Sequence, residues 1–349
     1  MMSFRNNHIQ NQPIDMAFAR SLAFVRESIG REKLYLKQSP QVLKTLRTVA
    51  LIQSTESSNR IENITAPPER IRKLVEEKTV PQNRSEQEIA GYRDALNTIH
   101  HHARDMAVNP SIILQIHRDL FKFTGQPGGQ WKATDNTIEE RDAKGNLIRV
   151  RFKPVPAGLA TESGMEELCK AYADTRSKDV ADPLLAVAAF VLDFLCIHPF
   201  RDGNGRMARL LTLWLLYQVD VEVGRYISLE KIIEDSRETY YDTLQASSTH
   251  WHEGRHPLSP WSNYFLGMLT ATYRAFEDRV GMVSTGYGQK TARLQEVFAV
   301  LPRKFKINDL LEACPDVSRP TITRFLMRLQ SEKLIRCFQK GRYAIWEKA

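Results

Sequence analysis

The sequence predicts a mainly α-helical protein with one central β-hairpin and a small mixed unit near its C-terminal end. Three observations carry this. Apolar residues recur at helical spacing over most of the first 280 positions. One turn, Ala143-Lys144-Gly145-Asn146, is flanked by residues 137–140 and by Leu147–Phe152, where apolar and basic residues largely alternate. Beyond a stretch of small residues at 281–288, three helical patterns precede two strand-like runs. The chain has 349 residues, 42% hydrophobic and 26% charged, which suggests two or three domains and a core that needs no disulfide or metal staple.

The elements follow in order. Ser39 reads as the N-cap and Pro40 as the first turn of a helix with Val42, Leu43, Leu46, Val49, Ala50 and Ile52 on its apolar side. A polar patch, residues 53–63, comes next. Pro67-Pro68 opens a segment with Ile71, Leu74 and Val75 at helical spacing. Residues 85–106 form a further helix with Ile89, Tyr92, Leu96 and Ile99 on one face. His100, His101 and His102 lie on it. Neighbouring helical residues point about 100° apart, so three in a row do not converge on one metal. Asn109-Pro110-Ser111 opens a helix at 112–123, and Gly125 to Gly129 ends it. After the hairpin, Pro154 and Pro156 break the chain. Asp182-Pro183 caps an apolar helix running to Cys196, and a polar loop separates it from a second apolar helix ending near Tyr217.

Several classes are excluded. The longest apolar run, Leu210 to Tyr217, is far short of a membrane span. The first residues contain no apolar signal region. Cys169, Cys196, Cys314 and Cys337 are widely spaced and form no C-x-x-C pair. A reduced, cytoplasmic protein is the expectation. The net charge of +8 is uneven: residues 292–349 carry 12 Lys+Arg against 6 Asp+Glu. This segment reads as helices at 291–300, 307–313 and 319–332 followed by strands at 334–338 and 343–346. Three helices and a hairpin match the winged-helix arrangement, with Arg319, Thr323, Arg324 and Arg328 on the recognition helix. The basic excess suggests DNA or another anionic partner, and the alternative is a protein-interaction or dimerisation module.

The richest segment for chemistry is the polar loop, His198-Pro-Phe-Arg-Asp-Gly-Asn-Gly-Arg-Met-Ala-Arg209. Gly203-Asn204-Gly205 leads directly into a helix, whose free N–H groups and dipole suit an anion. Arg206 and Arg209 share one helix face, and two guanidinium groups beside a backbone anion hole suit a polyphosphate. Asp202 is a candidate ligand for Mg²⁺ bridging phosphates, and His198 is a candidate general base.

These residues resemble the signature of Fic proteins, H-x-F-x-D/E-G-N-G-R-x-x-R, and the likeness covers roughly residues 110–250. It implies a Fic-type helical bundle with a hairpin flap, preceded by a helical region (1–105) and followed by the C-terminal unit (289–349), with the catalytic core and following helices at 106–280. It also implies transfer of AMP from ATP to a hydroxyl of a target protein and of the enzyme itself. His198 would deprotonate that Ser, Thr or Tyr hydroxyl, and Asp202 would hold Mg²⁺. Gly203, Asn204, Gly205 and Arg206 would cradle the α- and β-phosphates, and Arg209 would meet the γ-phosphate. Pro199 and Phe200 read as loop packing. The hairpin sits where Fic proteins carry the flap that docks the target by strand addition, with Arg149, Val150, Arg151 and Phe152 near the nucleotide. It departs from the Gly-Gly flap of some relatives. Arg237-x-x-Tyr240-Tyr241 resembles the family's adenosine-side motif. Ser58-Asn-Arg-Ile-Glu62-Asn63 resembles its inhibitory motif, in which the glutamate pairs with the second signature arginine, here Arg209. The resemblance leaves other readings open: another donor, removal of AMP, or a DNA-binding regulator whose site senses nucleotide. A homodimer is a further expectation.

Overall fold

The computed structural model describes residues 2–38, 40–141, 146–281, 294–295, 297–299, 301–314, 317–339 and 344–348. The N-terminal helices are α1 (Met16–Gln38), α2 (Pro40–Ile61), α3 (Pro68–Glu76) and α4 (Arg84–His102), followed by α5 (Pro110–Leu120). The hairpin pairs β1 (Ile138–Arg141) with β2 (Leu147–Phe152) antiparallel, Glu139 opposite Val150, with two register irregularities. Its expected turn falls mostly outside the described residues. Then come α6 (Leu159–Ser177), α7 (Pro183–Ile197), α8 (Asn204–Gln218), α9 (Leu229–Asp235), α10 (Arg237–Ser248) and α11 (Ser259–Gly281).

Capping sets several of these starts. Asn83 accepts from Glu86 N–H (3.0 Å), Asn109 from Ile112 N–H (2.9 Å), Asp182 from Leu184 N–H (2.8 Å) and Ser228 from Lys231 N–H (3.0 Å). Pro110 and Pro183 lie in the first turn, where a missing N–H costs nothing. Helices α7 and α8 are apolar around nearly their whole circumference, so both are buried, with α4, α6, α10 and α11 packed about them. Residues from both 1–105 and 106–280 share this core: Val25, Leu43, Ile61, Tyr92 and Leu96 belong to one apolar cluster with Phe190, Phe194 and Trp214. No helix among the described residues is long and apolar enough to cross a membrane.

The polar patch at 53–63 is mostly helical. Helix α2 runs through it to Ile61, and Ser54, Thr55, Ser57, Ser58 and Asn59 are buried. The patch is polar because its partners are. Ser54 Oγ donates to Glu230 Oε2 (2.6 Å), Ser57 Oγ to Glu234 Oε2 (2.8 Å), and Tyr92 Oη to Glu230 Oε1 (2.8 Å).

In the C-terminal part, β3 (Lys304–Lys306), α12 (Ile307–Ala313), α13 (Arg319–Ser331), β4 (Ile335–Gln339) and β5 (Ile345–Lys348) enclose a second apolar cluster built on Phe305, Leu310, Ile322, Leu326 and Leu329. The strand order is β3-β5-β4. Strand β3 was not visible in the sequence pattern, because only three residues and one buried side chain, Phe305, define it. Of the stretch 281–288 expected to link this part to the rest, Gly281 closes α11 and 282–288 lie outside the described residues.

Burial depresses four histidines: His100 to about 3, and His117, His198 and His256 to about 4. Tyr217 Oη and His100 Nδ1 share a hydrogen bond (3.1 Å). The unfolded chain binds these protons near pH 6.5 and the folded chain does not. Their contribution is therefore complete above that pH and is lost as pH falls toward 4. Glu32, raised to about 7 by burial, acts in the opposite sense, as do Asp119 and Asp193, whose carboxyls burial also raises. The unfolding free energy in urea should fall between pH 7.5 and 5, by about 2 kcal/mol per buried histidine before that offset. A flat profile over this window would contradict the neutral assignments.

Candidate active site

The junction from α7 to α8 builds the site. Helix α7 ends at His198, which takes a left-handed conformation (φ 50°, ψ 59°) while its N–H still reaches Phe194 O. His198 Nδ1 donates to Leu195 O (3.4 Å), the tautomer that leaves Nε2 as a proton acceptor. Burial first, then the nearby Lys132 charge, lowers its pKa to about 4, so the ring is a neutral base at physiological pH.

The loop that follows is held from within. Asn204 Oδ1 accepts from Phe200 N–H (3.0 Å) and its Nδ2 donates to Phe200 O (2.7 Å). Phe200 is fully buried and stacks on His117 at 3.7 Å between ring centroids, 1° from parallel. His117 Nδ1 accepts from Gly129 N–H (2.8 Å), so its Nε2–H donates to Asp202 O (3.1 Å). Gly203 lies at φ 80°, and an added Cβ would come within 2.9 Å of the Phe121 ring, so the position requires glycine on both counts. Asp202 is exposed, with Oδ1 accepting from Gly203 N–H (2.6 Å).

Arg209, one turn inside α8, meets the end of α2. Its Nε donates to Ser58 Oγ (2.8 Å), and its Nη2 donates to Ser58 O (2.8 Å) and to Glu62 Oε1 (2.8 Å). The Glu62 carboxylate also lies against Gly205, where an added Cβ would collide with Oε1. Burial alone would raise the Glu62 carboxyl, but the Arg209 charge and hydrogen bond outweigh it and hold it below the usual range. Burial likewise opposes the Arg209 charge, and Glu62 outweighs it, so that guanidinium stays ionised. Asn63, at φ 60°, turns the chain out of α2, and Ile64 N–H returns to Asn59 O (2.9 Å).

These groups line one cavity of about 250 Å³. Glu62, Gly205 and Arg209 form one end, while His198 and Asp202 flank it. Tyr240, Tyr241, Leu244 and Leu192 form an apolar wall, and Ile138, Arg151 and Phe152 of the hairpin border it. Tyr240 is buried and packs edge-on against Tyr241, Trp261 and Tyr264. Arg149 and Val150 are exposed on the hairpin rather than in the cavity. Gln245 Nε2 donates to Arg151 O (3.0 Å), and Phe152 stacks on His252, which together fix the hairpin over the cavity.

The site also assigns two residues differently from the sequence expectation. The Arg206 side chain is 1% exposed, paired with Glu88 (2.8 Å) and set over the Phe121 ring. Its guanidinium is engaged on the buried face of α8, while the residue also lines the cavity beside Gly205 and Arg209. The Asn204 side chain is committed to Phe200, so this residue offers the cavity its backbone. Glu88, Lys132 and Asn136 were missed. Glu88 had a signal: it lies four residues before Tyr92 on the apolar face of α4, where a carboxylate needs a buried partner. Lys132 and Asn136, in an irregular segment, had none. Of the three consecutive histidines, His100 is half-buried and His101 and His102 are exposed; no group of three or more His, Cys, Asp or Glu among the described residues is placed to hold a metal ion.

Residues 107–216 match the Fic/DOC family. Members of this family generally transfer nucleotide-linked groups to proteins. A crystal structure of a Fic family protein from Desulfovibrio desulfuricans G20 superposes with a TM-score of 0.61 at 22% identity, over 97% of each chain, which shows that the fold is the Fic fold. A Fido domain-containing protein of Dictyostelium discoideum is 33% identical over 95 residues, 27% of this chain and 62% of the relative. The ribonucleoside-diphosphate reductase small chain of Ostreid herpesvirus 1 (isolate France) is 43% identical over 51 residues, 15% of this chain. The chain thus spans 9% and 62% of the length of the two curated relatives. Within the Fic segment lie α5, the hairpin and the whole junction from α7 to α8.

Proposed function

We propose that the protein is an adenylyltransferase held inactive by Glu62, transferring AMP from ATP to a Ser, Thr or Tyr hydroxyl of target proteins and of itself. The observation that carries this reading is the Glu62 carboxylate lodged between Gly205 and Arg209. An anion already sits where a helix N-terminus and an arginine converge, which is where a terminal phosphate would be held. Arg209 Nη1 is buried with no hydrogen-bond partner among the described residues, leaving a spare donor for a phosphate oxygen.

In this reading the adenine lies against Tyr240 and Tyr241, and the target segment adds to the exposed edge of the hairpin. The N–H groups at the start of α8 hold the phosphates. His198 Nε2 takes the hydroxyl proton as the hydroxyl oxygen forms a bond to the α-phosphorus. The bond from that phosphorus to the bridging oxygen breaks, and pyrophosphate leaves. Asp202 would hold Mg²⁺. Its carboxylate has one oxygen engaged by Gly203 N–H, and a single carboxylate with phosphate oxygens suits that ion. The ion would supply neutralisation of phosphate charge.

A second reading concerns the C-terminal part, for which we infer a winged-helix DNA-binding role. Helix α13 exposes Arg319, Arg324 and Arg328 and has no acidic residue from Arg319 to Ser331. Its apolar side, Ile322, Phe325, Leu326 and Leu329, is buried in the second core. An exposed basic helix face suits a phosphate backbone.

Two experiments test these readings. With labelled ATP and Mg²⁺, Glu62→Gly should incorporate about tenfold to a hundredfold more label than wild type, since one charge-assisted contact is worth ~1.5–3 kcal/mol. His198→Ala in the same background should abolish the gain. Equal labelling of wild type and Glu62→Gly would remove the inhibitory role. For the second reading, the full chain should shift duplex DNA with an affinity that falls steeply with salt, and Arg324→Glu should weaken it. A salt-independent shift, or none, would contradict it.

A further inference from the structure

A buried lysine outside the signature meets the end of α7. Lys132, in the irregular segment between α5 and β1, is 2% exposed. Its ammonium donates to Ile197 O (3.0 Å) and Asn136 Oδ1 (2.9 Å), both neutral oxygens, and its main-chain N–H donates to Pro199 O (2.8 Å). Ile197 and Pro199 are the two neighbours of His198. One residue therefore grips the carbonyls on both sides of the histidine. Around it the same segment completes the lacing: Asn136 Nδ2 donates to Phe200 O (3.1 Å), and Val155 N–H to Cys196 O (3.3 Å).

Physical reasons make this arrangement informative. The last carbonyls of a helix lack intrahelical partners, and a cation there is favoured by the helix dipole. A non-glycine residue in the left-handed region is strained and persists only where its surroundings over-determine it. An ammonium buried without an ion pair is costly, so a purely space-filling role would be better met by an apolar side chain. Burial brings the Lys132 pKa down to about 8, which leaves it mostly charged at neutral pH.

We propose that Lys132 is a positioning residue for His198: its buried ammonium caps the C-terminus of α7 and fixes the left-handed turn that aims the imidazole into the cavity. This rests on the reading of His198 as the base. The charged side chains whose fields reach the ring are Lys132, from the irregular segment, and Glu62, from the end of α2, and they act in opposite directions. Removing the Lys132 charge leaves Glu62 unopposed, so the ring gains a proton at higher pH.

The test uses the full chain and two readouts. The His198 ring is titrated by NMR, its signal assigned by its loss in His198→Ala, in wild type, Lys132→Met, Lys132→Gln and Lys132→Arg. The proton affinity of His198 should rise roughly tenfold in the Met and Gln variants and stay near wild type in the Arg variant. In the Glu62→Gly background, kcat for AMP transfer should fall at least tenfold in Lys132→Met while the Kd for ATP changes less than twofold. If Lys132→Met does not fold, Lys132→Gln, which keeps a donor for Ile197 O, carries both comparisons. Unchanged His198 titration in a folded Met or Gln variant overturns the proposal. Absence of AMP transfer in every variant would instead overturn the reading of the reaction, and the ring titration would still decide the role of Lys132.

Discussion

Arg209 is a cation 3% exposed to solvent, and much of the architecture follows from the need to pair it. A buried charge without partners is costly, and removing one partner of such a pair commonly costs 3–5 kcal/mol. The pairing comes from a helix more than a hundred residues away in sequence. Ser58 supplies a hydroxyl and a carbonyl, and Glu62 supplies the countercharge. This requires α2 to run in against the core with a polar face, and that face is anchored in turn through Ser54 and Ser57 to Glu230 and Glu234. The glutamate itself stands just past the last turn, with Asn63 in a left-handed conformation directing the chain away.

The two halves of the clamp differ in permanence. Ser58 is fully buried and holds Arg209 by side chain and main chain, whereas the Glu62 side chain is 33% exposed and bonds through one oxygen. The proposed function requires a competing anion to displace the second without disturbing the first. The loop from His198 to Arg209 is held the other way. Asn204, His117, Lys132 and Asn136 engage its backbone and the end of α7, so His198 and the start of α8 are fixed by hydrogen bonds to the main chain. In the proposed reaction, a rigid loop beside a partly exposed carboxylate would separate the geometry of the base from its control.

Much of this was legible in the sequence because the relevant signals are local. Helix starts at Asn109 and Asp182, the hairpin strands and the buried pair α7 and α8 followed from caps and periodicity. The loop from His198 to Arg209 was legible because its glycines, acid and base lie within one turn of chain. Ser58 and Glu62 were reached only through the resemblance to a family, since their partner is distant in sequence. What escaped was set by tertiary contact. Arg206 and Arg209 share a helix face by spacing, yet Glu88 draws one guanidinium off while Ser58 and Glu62 take the other. The polar run at 53–63 reads only as a polar patch, because its partners Glu230 and Glu234 are distant in sequence. Lys132 carries no pattern at all, and its role arises from where α7 happens to end.

The central claim is that Glu62 occupies the place of a terminal phosphate on Arg209. It is tested most directly by calorimetric affinities of ATP and AMP, with Mg²⁺, for wild type and Glu62→Gly carrying His198→Ala to prevent turnover. The account predicts a gain in ATP affinity of roughly tenfold or more on removing the carboxylate, with AMP, which lacks that phosphate, nearly unchanged. An equal gain for both nucleotides, or none for ATP, would contradict it.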